Sequence, residues 1–87
     1  MPSKLDPALR ARLDELARTD PDQLVPLIVT LTPGADASTL RAKGLRIEQQ
    51  FPIISAVAGR MTARQALDLA ALDDVVRVEY DGEMRAL

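Results

Sequence analysis

The stretch Val25-Pro26-Leu27-Ile28-Val29-Thr30-Leu31 decides the fold, because it is almost wholly apolar and rich in β-branched residues. Such a run predicts a strand with both faces substantially covered. Pro26 has no N–H to donate to a neighbouring strand, so it must lie near the start of this strand or at an edge of the sheet. The segments on either side must therefore pack against both faces of this strand.

The segments that follow this strand predict a helix and then a pair of strands. Ala35 to Lys43 suits a short helix with its leucine facing inward, closed by Gly44 just beyond its C-terminal cap. Leu45 to Phe51 is typical of a second strand, which Pro52 interrupts. The chain then returns through a third strand, Ala56 to Met61, and we expect the two strands to be antiparallel.

A further helix and strand complete the pattern. Thr62 is a good N-cap for the helix, in which Ala66 and Leu69 can face a sheet, and Val75 to Tyr80 is the last strand. From Val25 onward the order is β-α-β-β-α-β, which predicts an α+β, ferredoxin-like fold. In that fold a four-stranded antiparallel sheet has its first and third strands in the centre and two helices on one face.

An extra helix is predicted before this domain. Asp6 is the expected N-cap and Pro7 the first helical residue. The predicted helix runs to about Ala17 and has leucines along one face. The leucine face favours packing against the domain. We expect three parts, namely an N-terminal helical extension (1–22), a ferredoxin-like domain (23–80) and a C-terminal tail (81–87).

The composition narrows the possible functions. The 87 residues include no cysteine and no histidine, which removes disulfide frameworks, thiol catalysis, the common zinc sites and a histidine general base. The net charge of -2 indicates no basic surface for binding phosphate groups. Phe51 and Tyr80 are the only aromatic residues that could stack on bases, so the composition argues against nucleic-acid binding. We expect no catalytic residues, no metal and no cofactor.

Targeting signals are equally sparse. No stretch has the apolar length needed to span a bilayer, so we expect no membrane partner. The N-terminus, Met1 to Asp6, lacks the apolar region of a signal peptide. The location is left open by these features, and they indicate the cytoplasm if the chain is the full natural product.

The third predicted strand is unusual for its small side chains, because Ala56, Ala58 and Gly59 lie close together. Small residues let another element come near the sheet. One interpretation is that helices of the same domain pack tightly there, or that the glycine marks a bulge. The other is that a partner's helices dock on the uncovered face of the sheet.

The tail offers a second functional signal. Met84 and Leu87 are apolar and lie at a spacing that an extended peptide can present to two pockets of a partner. A peptide of this kind is suited to binding in a cleft of a partner protein.

From Ala42 to Leu87 the order of these features resembles the propeptide of subtilisin-like serine proteases, the subtilisin propeptide-like inhibitor family. The resemblance lies in Lys43-Gly44 leading into a strand that ends Gln50-Phe51, then Ser55-Ala56-Val57-Ala58-Gly59, a helix, and a strand from Val75 to Asp81. Val25 to Leu31 matches the family's first strand. The N-terminal helix lies outside the match.

This resemblance implies a non-catalytic inhibitor of a subtilisin-like serine protease, with a possible second role as a folding chaperone. The open sheet face would dock on two surface helices of the protease through Phe51, Ala56 and Ala58. The tail would enter the active-site cleft like a cleaved product, with Leu87 in the primary specificity pocket. The neighbouring tail residues would fill the next subsites, in the order Ala86, Arg85 and Met84.

The resemblance also gives a role to the acidic residues before the tail, Glu79, Asp81 and Glu83. In the family, carboxylates here cap the N-termini of the two docking helices, whose free N–H groups attract negative charge. The alternative is that these acids only keep a strand edge soluble.

Two roles fit the family, an excised intramolecular chaperone and an independently encoded inhibitor. Met1, the missing signal peptide and a terminal Leu87 favour the independent inhibitor if the chain is complete. We expect a monomer when free and a one-to-one complex with protease. The alternative from another class is a ferredoxin-like regulatory or oligomerisation module, whose ligand site would use the turn from Leu31 to Asp36.

Overall fold

The computed structural model describes residues 4–81, which form three α-helices and four strands. Their bounds are α1 Pro7–Thr19, β1 Leu24–Leu31, α2 Ser38–Ala42, β2 Arg46–Phe51, β3 Ala56–Thr62, α3 Ala63–Leu69 and β4 Val75–Tyr80. A 3₁₀ turn, Pro52–Ile54, joins β2 to β3. The predicted order of elements is confirmed.

The strands form one antiparallel sheet in the order β2-β3-β1-β4. β1 and β3 are central, as predicted, and Leu27 of β1 lies opposite Gly59 of β3. On the other side of β1, Val29 lies opposite Val78 of β4. This order and the position of the helices confirm the predicted α+β, ferredoxin-like fold.

All three helices cover the same face of the sheet. Alternate residues of β1 are buried on that face, and they share one hydrophobic core with residues from each helix. The helical members of this core are Leu9 and Leu13 of α1, Leu40 of α2, and Ala63, Ala66 and Leu69 of α3. The two faces of β1 are therefore covered unequally, because its other residues are only half-buried.

The N-terminal helix is part of this core. The Asp6 carboxylate caps α1 by accepting hydrogen bonds from the N–H groups of Ala8 (3.0 Å) and Leu9 (3.4 Å). The helix packs against α3 and buries Leu13 completely. Before the helix, the Lys4 carbonyl accepts a hydrogen bond from the Val78 N–H (2.9 Å), which covers part of the outer edge of β4.

Gly44 closes α2 as predicted, with a φ of 105° that other residues rarely adopt. Its N–H donates to the Arg41 carbonyl (3.0 Å), and the Leu45 N–H donates to the Leu40 carbonyl (3.0 Å). These two bonds form a Schellman motif, and they place both leucines in the core. α2 starts later than predicted because the Asp36 carboxylate accepts from the Ser38 N–H (2.9 Å) and holds the preceding residues in a turn.

Thr62 ends β3 and caps α3 at once. Its Oγ1 accepts from the Gln65 N–H (3.3 Å), while Gln65 Oε1 accepts from the Thr62 N–H (3.1 Å). This reciprocal capping box starts the helix directly after the strand. Ala66 and Leu69 are buried against the sheet, as predicted.

Candidate docking surface

The sheet surface opposite the helices is covered by no other element within residues 4–81, and we call it the open face. Residues directly opposite each other in antiparallel strands point to the same side of the sheet, so the strand register identifies its members. Its middle consists of Ile28, Thr30, Phe51, Ala56 and Ala58.

The side chains at the centre of the open face are short. Ala56 and Ala58 are only 3% and 7% exposed, although no described helix covers them, because flanking strands shield such short side chains. Phe51 lies directly opposite Ala56 and is half-buried. The structure thus brings together the three residues that the sequence assigned to sheet-face contacts, and that role stays a prediction.

Gly59 has a different function from the two alanines. It faces the helices, and a Cβ added there would lie 3.0 Å from the Leu45 Cδ1 atom and against the Arg46 carbonyl. Strand β2 also has a bulge beside it, since the register shifts between Ile47 and Gln49. The glycine is therefore explained by close approach within the domain, whereas the alanines face outward.

Charged side chains lie around the open face. Arg60 Nε lies 3.3 Å from Glu48 Oε2, and Arg77 Nη1 lies 3.9 Å from Glu79 Oε1. Because these side chains are substantially exposed, each pair contributes only about 0–1 kcal/mol to stability. The charges can therefore rearrange for a partner at little cost to the fold.

Two of the predicted acidic contacts lie on the same side as the alanines. Glu79 is opposite Ile28, and the Asp81 N–H donates to the Pro26 carbonyl (3.0 Å). Residues two apart in extended chain share a face, so both carboxylates stand at the β4 margin of the open face. Tyr80, between them, lies on the other side and lines a hollow beside α1.

The remaining predicted contacts, Glu83, Met84, Arg85, Ala86 and Leu87, lie outside the described residues. Their roles stay predictions. The last described residue, Asp81, lies at the margin of the open face.

Two exposed isoleucines were missed by the sequence reasoning. Ile53 is 98% exposed and Ile54 is 63% exposed, in the 3₁₀ turn that follows Phe51. The sequence carries a signal for them, since two large apolar residues follow Pro52 between two strands. Apolar side chains exposed side by side next to the open face are candidates for contact with a partner.

Two hollows lie at the margins of the sheet, and the second of them reaches Ala56. One, of about 310 Å³, is bounded by Leu9, Arg12 and Tyr80. The other, of about 480 Å³, adjoins the turn after β1 and includes Asp36 and Arg41. Hydrogen bonding from the Ser38 backbone N–H, with smaller contributions from the Ser38 hydroxyl and Arg41, lowers the pKa of Asp36. This carboxylate is thus already engaged in capping the turn.

Within residues 4–81, no group of three or more acidic side chains is placed to hold a metal ion. No helix in that part of the chain is long and apolar enough to cross a membrane. Comparison with protein-family models, curated proteins and solved structures finds no match to this chain.

Proposed function

We propose that this protein inhibits a subtilisin-like serine protease, and that it can also act as a folding chaperone for that protease. The observation that carries the proposal is the open face, whose centre at Ala56 and Ala58 is small and apolar and has no covering element within residues 4–81. Short side chains let the backbone of a partner helix approach the sheet closely. Two surface helices of the protease would occupy this face, in a one-to-one complex.

The position of the acidic residues supports the same docking mode. Glu79 and Asp81 stand at one margin of the open face, where they can meet the N-termini of helices lying across it. Carboxylates at helix N-termini contribute about 0.3–1 kcal/mol each when exposed, and more when water is excluded. Among residues 4–81, Glu79 pairs with Arg77 through a long, exposed contact, so little is lost when it turns to a partner.

The tail completes the proposal. Following Asp81, an extended segment would enter the protease cleft and pair its main chain with strands of the protease. Leu87 and Met84 would fill the two deep apolar subsites, each contributing about 1.5–3 kcal/mol before ordering costs are subtracted. The protein acts by occupying the site, and needs no catalytic residue of its own.

Inhibition of a purified subtilisin-like protease tests the proposal. We would compare the full chain with a version lacking Met84 to Leu87, and expect nanomolar inhibition to weaken at least about tenfold on truncation. Following residual activity over hours separates a temporary propeptide from a durable inhibitor. No inhibition by the full chain across several such proteases would overturn the proposal.

A substitution on the open face tests the docking mode separately. Ala58→Gln adds a longer side chain at its centre, whereas Ala71→Gln makes the same change at an exposed position after α3. We expect inhibition to weaken at least about tenfold for the first variant only, because the longer side chain separates the two surfaces. Circular dichroism would verify that both variants are folded.

The open face also favours a second candidate, an oligomerisation module in which two sheets pair face to face. Its apolar middle, including Ile28 and Phe51, suits such pairing. Sedimentation measurements separate the candidates, because the inhibitor should be a monomer when free. A module of this kind should also tolerate loss of the last four residues.

A further inference from the structure

Two arginines stand side by side on the open face. Arg46 of β2 lies directly opposite Arg60 of β3, and Arg60 in turn lies opposite Pro26 of β1. Arg60 follows Ala58 by two residues in β3, so it points to the same side of the sheet, and its partner Arg46 does too. Like charges at directly opposite positions weaken a sheet. This arginine pair therefore lowers the stability of the fold instead of adding to it.

The carboxylate of Glu48 compensates only part of this positive charge. Its Oε2 atom lies 3.3 Å from Arg60 Nε, but the two atoms form no hydrogen bond, and the Nε is shielded from solvent. Arg46 is exposed and has no ion pair within residues 4–81. A guanidinium group has five N–H donors, so the arginine pair can bind a further carboxylate.

The charge of the open face is divided across its width. The arginine pair lies on β2 and β3, whereas Glu79 and Asp81 stand at the β4 margin. Even with Glu48 and Arg77 included, positive charge prevails on the β2–β3 side and negative charge at the β4 margin. Carboxylates attract the N-terminus of a helix, so a helix lying across this face is favoured when it starts at β4 and runs towards β2.

The width of the sheet tells which part of such a helix meets the arginine pair. The strands are ordered β2-β3-β1-β4, and neighbouring strands lie about 4.8 Å apart. A helix rises 1.5 Å per residue, so a helix starting over β4 passes β3 after about six residues and β2 after about ten. Its second and third turns therefore lie over the arginine pair.

We propose that Arg46 and Arg60 bind a carboxylate in the second or third turn of a docking helix of the protease, and so select proteases that have one there. This contact rests on the function proposed above and adds a determinant of specificity to it. The carboxylate accepts hydrogen bonds from both guanidinium groups and relieves their mutual repulsion. With Glu79 at the N-terminus of the same helix, the contact also fixes the direction of that helix across the sheet.

The free protein shows whether the fold needs the arginine pair. In Arg46→Gln the midpoint of urea unfolding should stay the same or rise, because a repulsion is removed. Arg10→Gln is the matched control, since it removes the same charge from an exposed position of α1. A midpoint well below that of the control would assign Arg46 to the fold and overturn the proposal.

The second test uses a subtilisin-like protease that the unchanged chain inhibits. Arg46→Gln and Arg60→Gln should each weaken inhibition roughly three- to thirtyfold, mainly through faster dissociation, and Arg10→Gln by less than about twofold. Loss of long-range attraction would instead slow association, wherever the charge is removed. Equal effects in all three variants, or slower association alone, would overturn the proposal.

A double-mutant cycle identifies the carboxylate. Each Asp or Glu about six to ten residues after the N-terminus of a docking helix is changed to its amide. Both the unchanged inhibitor and Arg60→Gln are then measured against each protease variant. One protease variant should bind the unchanged inhibitor more weakly but have a much smaller effect on Arg60→Gln. If no variant shows this coupling, the proposed contact is wrong.

The two proposals fail in different ways. If the unchanged chain inhibits no subtilisin-like protease, the proposed function is wrong and this contact is wrong with it. If the unchanged chain inhibits a protease, and Arg46→Gln and Arg60→Gln inhibit it equally well, the function stands and only the arginine contact is wrong.

Discussion

The side-chain amide of Gln65 lies directly against the α-carbon of Gly44, so that a Cβ on this glycine would come within 2.6 Å of the Gln65 Cδ atom. Gly44 ends α2 and Gln65 caps α3. The end of one helix therefore shares its space with the start of the other. A single change at Gly44 affects both helix ends.

Gly44→Ala should be strongly destabilising. A left-handed conformation costs a residue with a Cβ about 1–2 kcal/mol, and displacing the Gln65 side chain, whose Oε1 accepts from the Thr62 N–H, adds about 0.5–1.5 kcal/mol. Urea denaturation measures the sum. Gly34→Ala is the matched control, because Gly34 also has a positive φ (85°) but nothing lies within 4 Å of its added Cβ. Equal losses in the two variants would show that the Gln65 contact has no energetic weight.

Thr62→Val tests the capping box itself. The replacement keeps the shape of the side chain and the β-branch but removes the oxygen that accepts from the Gln65 N–H. We expect the free energy of unfolding to fall by about 1 kcal/mol. Thr19→Val is the control, since that hydroxyl donates to the Glu15 carbonyl at an exposed helix end and its loss should cost under about 0.5 kcal/mol. A similar loss in both variants would contradict the capping role.

Local signals made much of the fold predictable. Gly44 lies where the chain must turn and Thr62 where a helix starts. Few residue types suit such positions, so the sequence predicts them well. Which face of β1 the helices cover was not predictable, because Val29 and Ile28 are both apolar and differ only in what lies above them. The place of Pro26 depends on the register with β4, which arises from pairing between distant segments.

The candidate site was predictable in part. The small residues Ala56 and Ala58 predicted a sheet face that another element can approach closely. That they point away from the helices could be established only from the strand register. Ile53 was overlooked because local patterns do not tell an exposed apolar turn from a buried one. The tail assignments still rest on the resemblance.

Leu13→Ala should show that α1 belongs to the core. Leu13 is fully buried, and its truncation should cost about 2–5 kcal/mol because a cavity remains beneath the helix. Ile53→Ser removes a side chain of similar size that is 98% exposed, so it should change stability by less than about 0.5 kcal/mol. Chemical denaturation of both variants gives the comparison. A small loss for Leu13→Ala would mean that α1 contributes little to the folded domain.

The pKa of Asp36 should be lowered mainly by the Ser38 backbone N–H, which donates to its carboxylate (2.9 Å). The Ser38 hydroxyl and then Arg41 contribute less. Because the folded-state pKa is below the unfolded value, the carboxylate stabilises the fold above the unfolded pKa. This contribution is lost as the pH falls through the folded pKa. An NMR titration of the Asp36 carboxyl carbon measures the lowering directly.

Two variants rank these causes. Ser38→Ala removes the hydroxyl but keeps the backbone N–H, so the pKa of Asp36 should rise only part of the way to its ordinary value near 3.8. Arg41→Gln should raise the pKa by less, because that charge is the weakest of the lowering influences and is screened by solvent. A full return to the ordinary value in Ser38→Ala would mean that the backbone hydrogen bond is not the main cause.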